Sequence, residues 1–591
     1  VKDVERAFQG PVDVEWAIEN GATWLLQARA IPKTGSQDDL IERTCTWSRA
    51  NFKETLPEVP SPLGLWFVQE FMERNILRQY RELGCTIPSR LSAVRIIQGR
   101  PFINVSLFQS LTVQLGGNPA LVTEQMGGEA PPLQSGPPRL PWWKLIRAAI
   151  RMEWRIRRAA RRAPAWFAEM KRMYEALKQD SVRTATPAEL LARLDALGQR
   201  LQEGDLTLAI VAGVAQGLQA LEFLLKRWVG AGWRARLNAS LEGLGTVISA
   251  QQILQLRGLA EVARSEATVM AYFRAKPFEP QSFRLKLAGT RFLQQFDVYL
   301  AEFGHRALGE SDVMSPRFSE DPGYLLAIIR SHLLAPPAKA AGDQLHEQTI
   351  ARDAALDEIS RRLRRRWPLW ALFRWWHRRL CRYLALREAN RHHLMYFSAA
   401  TRMLTLILGE HLAARGPLSS TQGIFFLTPD EIRACATGEV KDWNALVAAR
   451  RAERACHAEQ SVPDLVAPGG VPAFAAGGSH EDGGTLRGIP ISAGYAEGPV
   501  RLVLTPEQAG RVERGDILVL PVIDPGMAPL FGLAAGLIVE MGGTLSHGAI
   551  IAREYGIPAV ANVRSVMRLL KNGERVTVDA TRGEIRRLDP V

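Results

Sequence analysis

His547 stands in a short polar string that suits phosphoryl chemistry. The histidine follows Gly542-Gly543-Thr544-Leu545-Ser546. A neutral imidazole is a nucleophile towards phosphorus, and the hydroxyl groups of Thr544 and Ser546 can donate hydrogen bonds to phosphate oxygens. These residue types therefore suggest transfer of a phosphoryl group through the histidine. Taken alone, a Ser-His pair before a helix more often belongs to a histidine that only caps the helix.

The elements around His547 are predicted to hold it where a strand passes into a helix. Residues 536–540 form a short apolar run that predicts a buried strand. The run from Ala549 favours a helix with a serine as its N-cap, and Gly556 with Pro558 marks its end. The unpaired N–H groups at such a helix start, with the positive end of the helix dipole, form a ready site for a phosphate.

The longer string around the histidine closely resembles the swivelling phosphohistidine domain of the phosphoenolpyruvate-utilising enzymes. Residues 486–494 and 572–579 are similar to the opening strands and closing hairpin of that domain, and the resemblance covers about residues 485–588. It implies a β/β/α domain over residues 485–591, in which His547 carries a phosphoryl group between two distant sites. It also implies four residues that stabilise the phosphate around the histidine: Gly543, Thr544, Ser546 and Arg553.

The first residues of the chain hold a second group with nucleotide chemistry. Two short strands joined by a turn are predicted at residues 10–17 and 24–29. Glu15, Gln27 and Arg29 alternate with apolar residues, so all three could project from one face of the hairpin. A carboxylate, an amide and a guanidinium suit a magnesium–nucleotide site, although such an alternation is usually just a solvated sheet face.

This hairpin resembles the last hairpin of the ATP-grasp domain in the same enzyme family. The resemblance implies Mg²⁺ and ATP as cofactors, with Glu15 and Gln27 serving the metal and Arg29 the phosphates. Residues 1–32 are therefore interpreted as the C-terminal remnant of an ATP-grasp domain. No glycine-rich phosphate loop and no lysine-bearing nucleotide strand is recognised elsewhere in the sequence. We therefore expect a separate ATP-grasp subunit to supply the nucleotide, and the chain alone to have no useful affinity for ATP.

The region between these two parts predicts the remaining architecture. Residues 33–462 contain long runs rich in Leu, Ala, Arg and Glu, which favour a mostly helical domain. Residues 463–484 are rich in Pro, Gly and Ala, which indicates a flexible linker. The predicted fold is thus multidomain α+β, with a mostly helical acceptor-binding domain, a β/β/α swivelling phosphohistidine domain and the ATP-grasp hairpin at the N-terminus.

The densest polar group of the helical region follows a helix predicted over residues 291–303. Residues 304–322 hold one histidine, two arginines and four carboxylates. Charge-rich loops are usually solvated and carry no chemistry. This string, however, resembles a segment of the acceptor-binding domain of rifampicin phosphotransferase and its relatives, as do residues 47–51 with 60–63, and 99–104. The resemblance suggests four residues for handling the acceptor and the incoming phosphoryl group: His305, Arg306, Glu310 and Arg317.

Basic residues and tryptophans concentrate in two segments. Residues 139–162 hold nine Lys or Arg and one acid, and residues 361–391 hold eleven Arg and one acid, a net charge of +18 against +13 for the whole chain. The same segments contain seven of the fifteen tryptophans. Arginine interleaved with tryptophan on helices suits an anionic membrane surface, and an aromatic acceptor pocket remains the alternative. A nucleic-acid partner is not expected, because no nucleic-acid fold motif is recognised.

These resemblances together imply a phosphotransferase chain. A phosphoryl group would pass from ATP on the ATP-grasp partner to His547, and then to a hydroxyl of a small-molecule acceptor. In architecture the sequence resembles rifampicin phosphotransferase lacking most of its ATP-grasp domain, or the histidine-bearing subunit of phenylphosphate synthase, whose ATP-binding part is a separate chain. The alternative is a non-catalytic phosphocarrier, or a degenerate ligand-binding protein that has lost its ATP-binding domain. No pyruvate site is expected, because the barrel that follows the swivelling domain in pyruvate-converting members has no counterpart in the sequence.

Several features bear on the compartment. The five cysteines show no CxxC pairing, and no signal peptide is recognised. Residues 206–221 form the longest charge-free helical pattern, which is too short to span a membrane and predicts a core helix. We therefore expect a cytoplasmic protein, with attachment to the inner face of the membrane as an open alternative.

Overall fold

A computed structural model describes most of the protein. The described residues are 12–19, 22–30, 44–53, 55–120, 122, 139–204, 206–230, 232–241, 248–334, 341–460, 462–468, 472–473, 485–503, 508, 511–523, 525–542 and 547–588. They form a mostly helical region followed by a compact sheet-containing domain, as predicted.

Helices dominate the chain from residue 50 to residue 459. The helices are α1 (Ala50–Lys53), α2 (Pro62–Glu70), α3 (Arg78–Glu82), α4 (Val105–Gln114), α5 (Trp142–Ala176), α6 (Asp180–Arg183), α7 (Pro187–Gly204), α8 (Thr207–Trp228), α9 (Trp233–Ala239), α10 (Ile248–Arg264), α11 (Ala267–Arg274), α12 (Phe283–Lys286), α13 (Arg291–Phe303), α14 (Gly323–Leu334), α15 (Ala341–Leu363), α16 (Trp367–Ala414), α17 (Pro429–Ala436), α18 (Trp443–Glu459), α19 (His547–Tyr555) and α20 (Val566–Leu569). A π-helical turn, Phe71–Leu77, joins α2 to α3, and 3₁₀ turns lie at Pro280–Ser282, Thr421–Phe426 and Pro525–Gly532.

The strands fall into three sheets. They are β1 (Val12–Glu19), β2 (Ala22–Ala30), β3 (Trp47–Ser48), β4 (Val94–Ile97), β5 (Arg100–Asn104), β6 (Leu465–Val466), β7 (Pro472–Ala473), β8 (Thr485–Arg487), β9 (Ile489–Ser492), β10 (Tyr495–Leu502), β11 (Ile517–Leu520), β12 (Gly536–Val539), β13 (Ala559–Ala561), β14 (Arg575–Asp579) and β15 (Glu584–Arg587).

The N-terminal hairpin is confirmed as a structural element. Strands β1 and β2 are antiparallel, and their register pairs Glu15 with Gln27 and Asp13 with Arg29. The register shifts by a bulge between Glu15 and Trp16. Because cross-strand partners share a face, the positions of Glu15, Gln27 and Arg29 lie on one face of the hairpin. The assignment of this hairpin to an ATP-grasp domain stays a prediction.

A small sheet that the sequence did not predict lies within the helical region. Its strand order is β4-β5-β3-β6-β7, and every described pair is antiparallel. Strands β6 and β7 come from the predicted linker 463–484, so the first part of that segment is joined to the helical region. Residues 474–484 lie outside the described residues.

Three long helices form the centre of the helical region. Helices α5 and α16 run parallel, because the Tyr383 hydroxyl donates to the Ile156 carbonyl (2.9 Å) and, further along both helices, Phe167 stacks on His393 (4.4 Å). Helix α8 runs antiparallel to α16 and approaches it closely at Gly213, where a Cβ atom would lie 2.6 Å from the Tyr383 ring.

The most apolar stretch of the chain belongs to this core. Residues 187–228, which comprise α7 and α8, are long and apolar enough to cross a membrane by length and composition alone. The buried face of α8 includes Ile210, Val214 and Leu221 and packs against α5 and α16. The predicted core helix at residues 206–221 is therefore confirmed.

The C-terminal domain is one mixed sheet with the strand order β8-β15-β14-β10-β11-β12-β13-β9. Strands β10 to β13 are parallel, whereas the flanking pairs are antiparallel. Parallel strands are joined through crossover connections, and helix α19 lies in the crossover between β12 and β13. This arrangement puts the start of α19 beyond the carboxyl end of a buried strand.

Candidate phosphohistidine site and acceptor face

His547 is the first residue of helix α19. The strand before it, Gly536–Val539, is fully buried, and the helix ends at Gly556, whose φ of 57° lies in the left-handed region. The predicted strand, helix and helix end are therefore confirmed. The first N–H groups of a nine-residue helix surround the histidine position, which suits a phosphate. Gly543, Thr544 and Ser546 lie outside the described residues, so their phosphate-binding roles stay predictions.

Gly548, the second residue of the helix, is held against the sheet. A Cβ atom at this position would lie 2.2 to 2.6 Å from three carbon atoms of Ile523, which is fully packed in the core. Only glycine lets the first turn of α19 approach so closely. The backbone at His547 is thus fixed by the contact of its neighbour with Ile523.

Changing Gly548 to alanine should therefore displace the start of α19. We expect Gly548→Ala to lower the free energy of unfolding by about 1–3 kcal/mol, as overpacking does in other cores. Ile523→Ala is itself destabilising, but in that background Gly548→Ala should cost much less, because the contact is gone. Denaturant unfolding of the single and double variants measures both effects, and a single variant as stable as the wild type would contradict the packing.

Arg553 lies in the last turn of the same helix and is buried. Its Nε donates a hydrogen bond to the carbonyl oxygen of Ile491 in strand β9 (2.7 Å). The guanidinium thus ties α19 to the neighbouring strand. Its predicted contact with the phosphate stays a prediction.

The C-terminal domain is docked on the helical region through the face that carries α19. Helix α19 and the turn Pro525–Gly532 pack against α10, and α19 also contacts α15. Ile523, Phe531 and Ile551 share one hydrophobic core with residues of the helical region such as Ile253 and Ile328. The helix that begins with His547 therefore faces the helical region.

His332 of α14 lies within this domain contact. Its ring is 2% exposed and a Cβ atom on Gly532 would lie 3.0 Å from it. Arg514 of the C-terminal domain donates through Nη2 to the ring Nδ1 (3.5 Å). Burial, together with the positive charges of Arg514, Arg257 and Arg264, lowers the pKa of His332 to about 3.

Acid should therefore weaken the docking of the C-terminal domain. The docked state holds the His332 ring neutral. The free energy that this ring contributes to docking is therefore complete above its ordinary pKa of about 6.5, and it declines as the pH falls from there towards 3. At pH 5 the loss is about 2 kcal/mol if undocking exposes the ring, from 1.36 kcal/mol per pKa unit. Small-angle scattering at pH 7.5 and 5 should show a larger radius of gyration at pH 5. His332→Gln should remove this pH dependence, and an unchanged difference in that variant would contradict the assignment.

Most of the string 304–322 is buried or half-buried, whereas Pro316 and residues 319–321 are exposed. Helix α13 ends at Gly304 as predicted, and the turns that follow place Arg306, Glu310 and Arg317 at 0 to 2% exposure. The Glu310 carboxylate accepts hydrogen bonds from Arg306 Nη2 and from Arg391 Nε of α16, both at 3.1 Å. All four predicted candidates, His305 included, lie in this one buried segment.

Arg317 holds the turns of the string together. It donates through Nη1 to the Glu310 carbonyl oxygen (3.0 Å) and through Nη2 to the Ser398 hydroxyl (2.9 Å). Burial, with the nearby Arg402, lowers the pKa of Arg317 to about 10, so the side chain stays a cation at neutral pH. The string is therefore a rigid polar network fastened to α16.

His305 lies beside a second histidine in this network. Its ring stacks on Tyr396 (3.6 Å between centroids), and its Nε2 is 3.2 Å from the carbonyl oxygen of His392. Because a carbonyl only accepts, Nε2 carries the proton, and Nδ1 has no hydrogen-bond partner among the described residues. Burial, with His392 and Arg306 nearby, lowers the pKa of His305 well below its usual range. The ring is therefore neutral at physiological pH.

The other predicted acceptor segments meet this string or the sheet beside it. The Ser61 backbone N–H and hydroxyl donate to the two carboxylate oxygens of Asp312 (2.7 and 2.6 Å). Arg100, in the segment 99–104, donates to the carbonyl of His457 in α18 (2.8 Å). The structure thus brings residues 60–63 against the string 304–322, while residues 99–104 form the end of the turn and the second strand of the β4–β5 hairpin.

The docked domain covers the string. A Cβ atom on Gly526 would lie 2.2 Å from the Ala307 carbonyl oxygen, so the turn Pro525–Gly532 lies directly on the backbone that follows Arg306. The docked domain therefore contacts the string at Ala307 and Leu308.

The sequence interpretation missed a polar group at the end of β12. Glu540 follows that strand, and burial raises the pKa of its carboxyl, against the opposing effect of Lys53. Lys53 of α1 donates to Asp464 (3.2 Å), and Arg49 lies 3.8 Å from the same carboxylate. The charged residues of this group come from three distant parts of the chain. The sequence partly indicated this polar group, because Arg49 lies in the segment 47–51 that resembles the acceptor-binding domain.

Two surface depressions lie elsewhere. One, of about 500 Å³, is lined by Lys571, Glu574 and Arg587, and the other, of about 300 Å³, by Glu73 and Arg90 with their neighbours. Neither includes a predicted site residue. Among the described residues, no group of three or more His, Cys, Asp or Glu side chains is placed to hold a metal ion.

Two family models match the chain. One, described as the rifampicin phosphotransferase fourth domain, matches residues 205–388 of the helical region. The other, described as the mobile domain of PEP-utilising enzymes, matches residues 512–583, which include His547. The first match contains the string 304–322, so the candidate acceptor face and the histidine lie in the two matched parts.

Curated relatives agree with these matches. The rifampicin phosphotransferase of Streptomyces sviceus is 30% identical over 393 residues, which are 64% of this chain and 44% of that protein. Another from a Streptomyces species is 26% identical over 621 residues, 98% of this chain and 67% of that protein. The prodigiosin synthesizing transferase PigC of Serratia marcescens is 24% identical over 633 residues, 98% of this chain and 68% of that protein. The chain thus spans from less than half to about two thirds of the length of these relatives.

The sheet domain, the histidine position and these matches indicate the class of protein that the chain resembles. Residues 512–583 are similar to the mobile domain of the PEP-utilising enzyme family. Among the members of that family, the chain resembles rifampicin phosphotransferase, as the sequence predicts.

Proposed function

We propose that the chain transfers a phosphoryl group from ATP, through His547, to a hydroxyl of a small molecule bound on the helical region. The observation that carries the proposal is the position of His547 at the start of a helix that faces the helical region. A histidine that moves between two sites must be able to dock on the acceptor-binding region, and the packing of α19 against α10 and α15 supports this.

The proposed chemistry has two displacements at the phosphorus that the histidine carries. In the first, the imidazole nitrogen attacks the β-phosphorus of ATP, a nitrogen–phosphorus bond forms, and the bond to the AMP oxygen breaks. Water then cleaves the bond between the β- and γ-phosphates, so that inorganic phosphate leaves and one phosphoryl group stays on the histidine. In the second, the acceptor oxygen attacks the same phosphorus, the bond to His547 breaks, and the acceptor loses its proton. Phosphoryl transfer needs mostly positioning and charge neutralisation, which the N–H groups at the start of α19 would supply.

Nucleotide binding would involve the N-terminal hairpin. The register places the positions of Glu15 and Gln27 opposite each other, and their oxygen atoms suit Mg²⁺. These two residues would hold the metal, which neutralises phosphate charge when bound, and Arg29 would contact the phosphates. The rest of the nucleotide site would come from an ATP-grasp domain, as a partner chain or as another part of the same protein.

The buried string 304–322 would form the acceptor face. His305 is a neutral imidazole with a free Nδ1 lone pair among the described residues, so it can accept a proton once the site opens. Arg306, Glu310 and Arg317 would hold the string in place, since their charged groups are engaged with one another and with α16. Closure of the C-terminal domain would exclude water from the transfer.

A reconstituted assay tests this proposal. The chain is mixed with Mg²⁺, ATP, an ATP-grasp domain from a rifampicin phosphotransferase and hydroxylated aromatic acceptors, rifampicin among them. AMP release coupled to a phosphorylated acceptor, detected by mass spectrometry, is the expected result. Label that reaches His547 but no acceptor would favour the phosphocarrier alternative. Failure of both steps, with an active ATP-grasp control, would contradict the proposal.

A further inference from the structure

We propose that the first turns of α5 and α16 form a surface that binds anionic lipid membranes. This membrane face is defined by its exposed tryptophans, which are exposed to 50% or more: Trp142, Trp143, Trp154, Trp367 and Trp375. Large exposed apolar patches usually mark interaction sites, and tryptophan favours the boundary between lipid and water.

The tryptophans of the two helices lie at the same end of the bundle. Arg379 of α16 makes a bidentate ion pair with Glu153 of α5 (2.9 and 2.7 Å). Residues 379 and 153 therefore lie at the same height along the two parallel helices. Trp154 follows Glu153 directly, and Trp375 lies one turn before Arg379, whose guanidinium is 5.5 Å from its ring. The aromatic residues of both helix starts therefore share one region of the surface.

Helix α5 has the residue spacing of a helix that lies on a membrane. Trp143, Ile146, Ile150 and Trp154 follow one another at intervals of three or four residues, and each is more than half exposed. Basic residues flank this stripe, and Arg158 lies 4.9 Å from the Trp154 ring. A charged face with tryptophan and aliphatic residues along it is the pattern of interfacial helices.

The charge around the stripe is strongly positive. The exposed basic side chains on the two segments are Arg139, Lys144, Arg147, Arg151, Arg157, Arg158, Arg161, Arg162, Arg361, Arg362, Arg364, Arg365, Arg366, Arg374, Arg378 and Arg382. The two acids of these segments do not offset them at the surface. Glu153 is engaged by Arg379 and Arg157, and Glu388 is buried. This surface is complementary to the anionic headgroups of a bilayer.

The exposure of the tryptophans also bears on whether the two segments form a membrane surface or line an acceptor pocket. A pocket would enclose its aromatic side chains, whereas Trp142 and Trp367 are each 74% exposed. Trp370 and Trp376 do turn inwards, but they pack against the hydrophobic core that holds Phe373 and Leu380. The arrangement therefore favours a membrane surface over an acceptor pocket.

Vesicle sedimentation tests this inference. The chain should pellet with vesicles of phosphatidylglycerol and phosphatidylcholine but not with phosphatidylcholine alone, and binding should fall steeply between 50 and 500 mM salt, roughly tenfold or more. Replacing Trp143, Trp154 and Trp375 by alanine should weaken vesicle binding by about a hundredfold. Replacing Arg147, Arg158 and Arg374 by glutamine should weaken it by a similar factor. Brominated lipids should quench the fluorescence of the wild type more than that of the tryptophan variant.

Control variants, and a test for a second copy of the chain on the same surface, complete the experiment. Leu285→Ala, at a leucine that is 84% exposed elsewhere, and Arg582→Gln with Arg586→Gln should leave binding unchanged. Equal binding to neutral and anionic vesicles, or no binding to either, would overturn the inference. It would also fall if the tryptophan variant changed a dimer into a monomer without altering vesicle binding, because a second copy would then cover the face. Thermal melting checks that each variant is folded.

Discussion

His547→Ala should carry no acid-labile phosphoryl label after incubation with labelled ATP, Mg²⁺ and an ATP-grasp partner. The residue begins helix α19, and its replacement removes the nucleophile that the proposed reaction requires. The label should fall by at least about a thousandfold, since the first displacement has no imidazole nitrogen to accept the phosphoryl group. Rapid acid and base treatment of the labelled protein distinguishes phosphohistidine from a phosphate ester.

Two further variants make this result specific. His547→Gln keeps a polar side chain of similar reach and should also stay unlabelled. His411→Gln, at a partly exposed histidine near the end of α16, should be labelled like the wild type. Labelling of the two His547 variants at the level of His411→Gln would remove the basis of the proposed function.

Glu310→Gln should lower the free energy of unfolding by about 3–5 kcal/mol. The carboxylate is fully buried and neutralises Arg306 and Arg391, so its removal leaves the buried Arg306 and the partly exposed Arg391 without this charge. The substitution keeps the size of the side chain, so that the loss reports on charge. Denaturant unfolding followed by far-UV circular dichroism measures the change.

An exposed ion pair provides the matched comparison. Glu497 is 43% exposed and pairs with Arg575 at 2.8 Å in the C-terminal domain. Glu497→Gln should change stability by no more than about 1 kcal/mol, because water already solvates both groups. Similar small losses for both variants would mean that the string 304–322 does not depend on its central carboxylate.

Local sequence signals predicted the elements that position the histidine. The glycine and the proline after α19 end the helix through their backbone conformation, and the apolar run of β12 forms a strand because it is buried. Both effects depend on residues that are close in sequence. The same holds for α13, where Thr290 caps the start through the Leu293 N–H (3.2 Å). Family resemblance added what local signals lack, namely the identity of the mobile domain.

Contacts between distant parts of the chain could not be predicted from such local sequence signals. The small sheet has two-residue strands, Trp47–Ser48 and Leu465–Val466, that pair across more than four hundred residues. The string 304–322 has the composition of a solvated loop, yet Glu310 and Arg317 within it are buried because α16 supplies Arg391 and Ser398 about eighty residues further on. Long-range partners of this kind decide burial, and no spacing within either segment reveals them.

Under the proposed function, the hydrophobic core shared by the two domains would limit how often the histidine is loaded. While Ile523, Phe531 and Ile551 are packed against the helical region, α19 is engaged there and would not be free to reach a nucleotide. If docking were favoured by about 2.8 kcal/mol, only about 1% of molecules would be free, and an ATP-binding partner would seem about a hundredfold weaker than it is. Substitutions that loosen this core should thus quicken loading of the histidine while slowing delivery, so the turnover number should pass through a maximum at intermediate docking strength.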